Sequence, residues 1–169
     1  EDAETIQRCA WKTYLHPLKG KAFEDVLKSG KFPSEKTKEY LNKKNGHKIF
    51  IAGIESITAV NDLDNLIQKG PVDGVFVGPN DLSTSMGIPD ELENDDYIEA
   101  LTKIINISES HNIPVMVHGF TPERTLKTME LGARFVLHSS DGGMITQSIE
   151  REFNAIRQEK IEDSESEAI

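Results

Sequence analysis

Val72-Asp73-Gly74-Val75-Phe76-Val77-Gly78-Pro79-Asn80-Asp81 reads as a buried strand that stops at a turn. The apolar run is too short for a helix and rich in β-branched residues. Gly78-Pro79 ends it, because proline cannot continue a ladder and glycine-proline pairs mark turns. The same grammar recurs on both sides. Upstream, Lys48-Ile49-Phe50-Ile51-Ala52-Gly53-Ile54 is another short apolar run, and a helix over 57–68 follows it until Gly70-Pro71. Downstream, a polar segment rich in Asp and Glu leads to a long helix with Ile98, Leu101, Ile105 and Ser108 on one side. Ile113-Pro114-Val115-Met116-Val117 is the third strand. Thr121-Pro122 sets a cap and a first-turn proline for the next helix, and Gly132 stops it. Arg134-Phe135-Val136-Leu137 is the fourth strand, and a last helix carries Ile145, Ile149, Phe153 and Ile156.

Ahead of these units, Ala3, Ile6, Ala10 and Tyr14 recur at helical spacing and predict an amphipathic helix over 3–13. A loop with Pro17 and Gly20 follows, and a short helix capped by Ser34 fades by Gly46. Strands separated by helices imply parallel pairing through right-handed crossovers, with the sheet covered on its helical face and packed on the other. Two architectures satisfy that pattern: an open doubly wound sheet, or part of a (β/α)8 barrel. Spacing alone does not choose between them.

The chain has 169 residues, 37% of them hydrophobic, which fits one soluble α/β domain over 1–158. The remaining stretch, 159–169, is polar and acidic without apolar periodicity, and is expected to be a disordered tail. A net charge of −10 argues against a nucleic-acid partner, which needs a basic face. No apolar run approaches the ~20 residues of a membrane span. Glu1-Asp2-Ala3-Glu4 shows no leader, and the single cysteine permits no internal disulfide, so a cytoplasmic setting is expected. Cys9 itself is expected to be a small buried residue.

In either architecture, ligands bind beyond the carboxyl ends of the strands. That rule selects Glu55, Gly78-Pro79-Asn80-Asp81, His118-Gly119 and His138-Ser139-Ser140-Asp141. Glu55 and Asp81 each follow a buried strand, and two hard carboxylates at such a rim suit Mg²⁺ or Mn²⁺. Helix-cap or first-turn acids are the alternative for both. Gly78-Pro79-Asn80-Asp81 could turn backbone N–H groups toward an anion, or be an ordinary turn. His118 is as readily a satisfied histidine as a ligand or proton carrier. His16, His47 and His111 lack metal-ligand spacing and read as surface or loop residues. No Walker-type loop, Rossmann fingerprint or Cys/His cluster is present.

Gly74-Val75-Phe76-Val77-Gly78-Pro79-Asn80-Asp81-Leu82-Ser83-Thr84-Ser85-Met86-Gly87 closely resembles the signature of the HpcH/HpaI aldolase and citrate lyase family. Ile54-Glu55-Ser56 resembles that family's first metal-ligand strand end, and Gly132-Ala133-Arg134-Phe135-Val136 through Asp141 its last strand and turn. The resemblance implies a TIM barrel, of which this chain supplies about four β/α units from the C-terminal half. It also implies a homo-oligomer, a divalent metal held by Glu55 and Asp81, and a 2-oxo-acid carboxylate held by the amides around Gly78, Pro79, Asn80 and Asp81. Such an enzyme cleaves or forms a carbon–carbon bond between a pyruvate-type 2-oxo acid and an aldehyde. The metal acts as a Lewis acid that stabilises the enolate. Several places depart from the family pattern. Gly53 stands where glutamine is common, and Ser139 where glycine is usual. Tyr14-Leu15-His16-Pro17-Leu18-Lys19-Gly20-Lys21 stands where the family commonly has Tyr-Pro-Pro-Leu-Gly and an arginine. The family's general-base histidine and enolate-stabilising arginine lie on earlier strands, so the catalytic residues of this chain are unknown. A second expectation follows: a non-catalytic barrel half that serves as a subunit or pairs with another half across its exposed sheet edges.

Overall fold

The computed structural model describes residues 3–166, with side chains to residue 157. Four short strands form one parallel sheet in sequential order: β1 (Ile51–Ile54), β2 (Gly74–Val77), β3 (Val115–Gly119) and β4 (Phe135–His138). An open doubly wound sheet reverses its strand order at a switch point. This sheet never reverses, so the barrel alternative is the one adopted.

Side chains alternate across each strand. Ala52, Ile54, Val75, Val77, Val115 and Val117 face the helices and are buried. They pack under α4 (Ile57–Asn61), α5 (Leu63–Lys69) and α7 (Asp95–Ser110), whose Leu63, Leu66 and Ile104 are fully enclosed. Burial of each such side chain contributes roughly 1.5–3 kcal/mol. The opposite row is Ile51, Gly53, Phe76, Met116, His118, Phe135 and Leu137. It was expected to be packed, yet Phe135 is 54% exposed and Leu137 43%. In a barrel, this inner face is closed by the side chains of the remaining strands. Only four strands are present among the described residues, so the row is left open.

Local chemistry sets the helix ends. α3 (Glu35–Asn45) starts where Ser34 Oγ accepts from the Thr37 amide at 3.1 Å. α8 (Pro122–Glu130) starts where Thr121 Oγ1 accepts from Arg124 at 3.3 Å. Both caps were expected. Four other features depart from expectation. The segment read as a loop after α1 (Ala3–Leu15) contains α2 (Gly20–Ser29), whose Phe23 and Val26 close a small core with Leu15 and Leu41. Gly30, at φ 65°, ends α2 in the left-handed cap that glycine favours. The helix expected over 57–68 is broken at Asp62 into α4 and α5. The turn expected after β2 winds into α6 (Pro79–Ser85), with proline in its first turn. Cys9 is exposed rather than buried, because α1 buries Ala3, Ile6 and Ala10 on the opposite side.

α9 (Asp141–Ser166) follows β4. Met144, Ile145, Ile149, Phe153 and Ile156 are all exposed on it. Of the expected disordered tail, 159–169, residues 159–166 are the end of α9, and 167–169 lie outside the described residues. No described helix is long and apolar enough to cross a membrane.

Candidate functional site

The carboxyl ends of β1, β2 and β3 form a rim, and Glu55 is the first residue past β1. It is not the cap of the helix that follows. Ser56 takes that role, its Oγ accepting from the Ala59 amide at 3.2 Å. The cap reading of Glu55 is therefore excluded. The Glu55 side chain instead leans across the neighbouring strand end. A Cβ placed on Gly78 would lie 2.9 Å from both Glu55 Cγ and Oε1, so any residue but glycine at 78 would displace the carboxylate. A Cβ on Gly53 would sit 3.5 Å from the same Oε1, an ordinary contact, so the carboxylate's position does not require glycine there. The glycine at the end of β2 thus makes room for an acid from β1, a role beyond the turn assigned to it from the sequence.

Asp81 lies in the first turn of α6, directly after Pro79 and Asn80. As a first-turn acid it stabilises the positive end of this helix. The first amides of a helix have no intrahelical partner, and those of Asn80 and Asp81 take none among the described residues. The carboxylates of Glu55 and Asp81 are both exposed, and neither has a hydrogen-bond or ion-pair partner among the described residues. Two hard, free carboxylate donors at one rim fit a divalent ion that keeps waters and substrate oxygens as its other ligands. No group of three or more His, Cys, Asp or Glu able to hold a metal occurs among the described residues.

The turns behind this rim are fixed by hydroxyls. Ser85 Oγ accepts from the Ile57 amide at 3.1 Å and ties the end of α6 to the start of α4. Ser83 Oγ donates to the Asn80 carbonyl and accepts from the Asp90 amide, which anchors the segment after α6. Arg124 and Lys127, on α8, both turn to Glu93. The Lys127 hydrogen bond holds the Glu93 carboxyl below the usual carboxylate range.

His118 and His138 differ in where they point. His138 Nδ1 meets Thr125 Oγ1 at 2.7 Å, on the helix side. His118 lies in the inner row, half-buried, with Nε2 3.0 Å from the Ser139 carbonyl and its ring 4.2 Å from that of Phe120. Ser139 adopts φ 54°, the left-handed conformation that explains why glycine is at home there. His16 and His47 are exposed, and His111 pairs with Asp64 at 2.7 Å, so none of the three reaches the rim.

A sequence model of the family described as HpcH/HpaI aldolase/citrate lyase matches residues 19–147. The 2-keto-3-deoxy-L-rhamnonate aldolase of Klebsiella pneumoniae is 28% identical over 116 residues, which are 69% of this chain and 43% of that protein. The 5-keto-4-deoxy-D-glucarate aldolase of Escherichia coli is 27% identical over 113 residues, 67% of this chain and 44% of that protein. The chain thus spans under half the length of these curated relatives. An HpcH/HpaI aldolase/citrate lyase family protein from Burkholderia cenocepacia superposes with a TM-score of 0.74 at 20% identity, over 93% of this chain and 62% of that one. An HpcH/HpaI aldolase from Desulfitobacterium hafniense gives 0.70 at 22%, over 92% and 60%. At such identities the superpositions establish the fold, a TIM-barrel type of which this chain covers part.

Proposed function

The chain belongs to the HpcH/HpaI aldolase/citrate lyase family, and from that premise we propose that it is the metal-binding portion of a divalent-metal-dependent aldolase. Glu55 and Asp81 would hold Mg²⁺ or Mn²⁺. The observation that carries this reading is the Glu55 carboxylate, free of protein partners and seated in the space that Gly78 leaves. The amides of Asn80 and Asp81 would bind the carboxylate of a pyruvate-type 2-oxo acid, with Gly78 and Pro79 shaping the approach. When bound, the ion supplies Lewis acidity against the negative charge that develops on the 2-oxo oxygen as the carbon–carbon bond breaks. The relatives' names, aldolases of keto-deoxy sugar acids, support a hydroxylated 2-oxo acid as substrate, released as the shorter oxo acid and an aldehyde. No proton-transfer step is assigned to these residues.

Calorimetric titration of Mn²⁺, with and without pyruvate, tests the reading. We expect binding that pyruvate strengthens, and loss of at least ten-fold in affinity in both Glu55→Gln and Asp81→Asn. Retained affinity in either variant would remove that residue from the ligand set.

The open inner face favours a second reading, in which this chain is a non-catalytic barrel half that pairs with another half. Exposed Phe135 and Leu137, with the outer edges of β1 and β4 unpaired among the described residues, support it. Absence of Mn²⁺ binding together with a mass above the monomer in light scattering would turn the case toward it; a folded monomer would count against it.

A further inference from the structure

The net charge of −10 is unevenly shared along the chain. Residues 12–48 carry ten lysines against four acids, a local net charge of +6, while 49–157 carry −10. A further block of acid closes the sequence, where Glu162, Asp163, Glu165 and Glu167 fall within six residues at the end of α9. α3 turns much of the positive charge outward. It buries Leu41 and Asn45, and the Asn45 amide donates to the Tyr14 carbonyl of α1 at 2.7 Å. On the side away from them, Lys36, Tyr40 and Lys43 recur at helical spacing, and all three are exposed. Lys44 stands beside Tyr40, its Nζ 3.2 Å from the hydroxyl and over the ring. Lys36 and Lys43 have no partner among the described residues, and neither has Lys31 just ahead of the helix. Of the two acids on α3, Glu35 already pairs with Lys38 at 3.5 Å, and Glu39 is the other.

The end of α9 has the opposite need. The carbonyls at a helix C-terminus carry partial negative charge and favour cations. Yet the last turn of α9 holds Asp163 and Glu165 and no basic residue. The 49–157 stretch, itself at −10, repels this end, whereas 12–48 attracts it. α9 also stands off its own sheet, because its apolar side chains from Met144 to Ile156 are exposed. A helix that leaves the body presents its end to another molecule.

We propose that the lysine face of α3 is a docking surface for the acidic end of α9, residues 162–167, of a second copy of this chain. Lys36 and Lys43 supply free ammonium groups to its carboxylates, and these cations also suit the negative end of the helix. Each exposed ion pair contributes little by itself, so the contact depends on several forming together and weakens as salt rises. Charge complementarity of this kind fixes which surfaces meet more than how tightly they hold. The inference is independent of the metal-site reading.

The test mixes nitrogen-15-labelled with unlabelled protein and treats the mixture with a carbodiimide, which joins a lysine Nζ to a carboxyl group only where the two already touch. Mass spectrometry of the digest is expected to find Lys36 or Lys43 joined to Glu162, Asp163, Glu165 or Glu167, in pairs of peptides that combine the two labels. The double variant Lys36→Glu, Lys43→Glu should lose these links, and its dissociation constant for self-association, read by sedimentation, should rise about ten-fold. A second variant, with Glu162→Lys, Asp163→Lys, Glu165→Lys and Glu167→Lys, should fail in the same way. An equimolar mixture of the two variants should associate as the unsubstituted protein does, because each then meets the opposite charge. That rescue also shows that neither variant has merely unfolded. Links confined to one label overturn the second copy as the occupant. Absence of links, or charge reversals without effect on association, overturns the docking surface. A single-stranded RNA oligonucleotide that binds the unsubstituted protein and not the double variant, with no carboxyl link formed, would assign the face to nucleic acid instead and overturn the proposal.

Discussion

β2 and β4 are built from similar residues and end in opposite conditions. Val75 and Val77 of β2 are fully buried beneath α5 and α7, and Phe76 is half-covered from the inner side. Phe135 and Leu137 of β4 are open to solvent, and even the outward Val136 is only half-buried. β2 has a hydrogen-bonded neighbour on both edges and β4 on one. The helix after β4 presents a row of exposed apolar residues, Ile145, Ile149, Phe153 and Ile156, instead of folding it onto the sheet. A strand's apolar content therefore states what it can bury, and its neighbours decide whether it does. The candidate site sits nearer the well-buried side of this divide: Gly78 follows β2, which is paired on both edges, Glu55 follows β1, which is paired with β2, and Asp81 lies on α6, tied through Ser83 and Ser85.

The comparison breaks most visibly if equal truncations act equally at the two ends. Leu66→Ala or Ile104→Ala removes a fully buried side chain and should cost about 2–5 kcal/mol, read from urea denaturation midpoints. A loss below ~1 kcal/mol at either position would mean that the packed region is loose. Gly119→Ala probes the seam where β3 meets α8. The added Cβ would lie 2.3 Å from Thr125 Oγ1 and 3.0 Å from Thr125 Cα, a clash with backbone that rotation cannot relieve. A destabilisation of about 1–3 kcal/mol is expected. An unchanged midpoint would place the edge of the packed region one strand earlier.

Much of this was legible in the sequence. The four strands and the Ser34 and Thr121 caps follow from short-range rules that the structure keeps, whereas His118, Gly119 and His138, expected beyond strand ends, lie within β3 and β4. α2 was missed because Lys19-Gly20-Lys21 looks like a loop, although Phe23, Val26 and Leu27 carry helical spacing and Gly30 the stop. α6 was missed because Gly-Pro-Asn-Asp begins turns and short helices alike, and only the following residues decide. The lean of Glu55 across Gly78 could not be read at all, since it depends on strand register between segments more than twenty residues apart. The exposure of Phe135 and α9 was equally hidden, because burial depends on what lies alongside. Ser139 sharpens the point. Its positive φ is invisible in the residue itself, and Ser139→Gly should raise stability by about 1 kcal/mol by removing the left-handed strain. No gain would show that the His118 and Gly119 contacts to Ser139 already make that conformation easy.

The smallest expected effect lies at the open end. Ile149 and Phe153 are just over half exposed, as large as core residues and on the same helix face. Replacing either with Ala removes little contact, so the denaturation midpoint should move by less than about 0.5 kcal/mol in dilute protein. Such a near-silent result, beside the loss at Leu66, would show that apolar identity without a neighbour contributes almost nothing to stability. A loss of about 2 kcal/mol or more at Phe153 would require that α9 pack against something in solution. A protein-concentration series then identifies the cover, since packing against a second copy makes the midpoint rise with concentration and packing within one chain leaves it fixed.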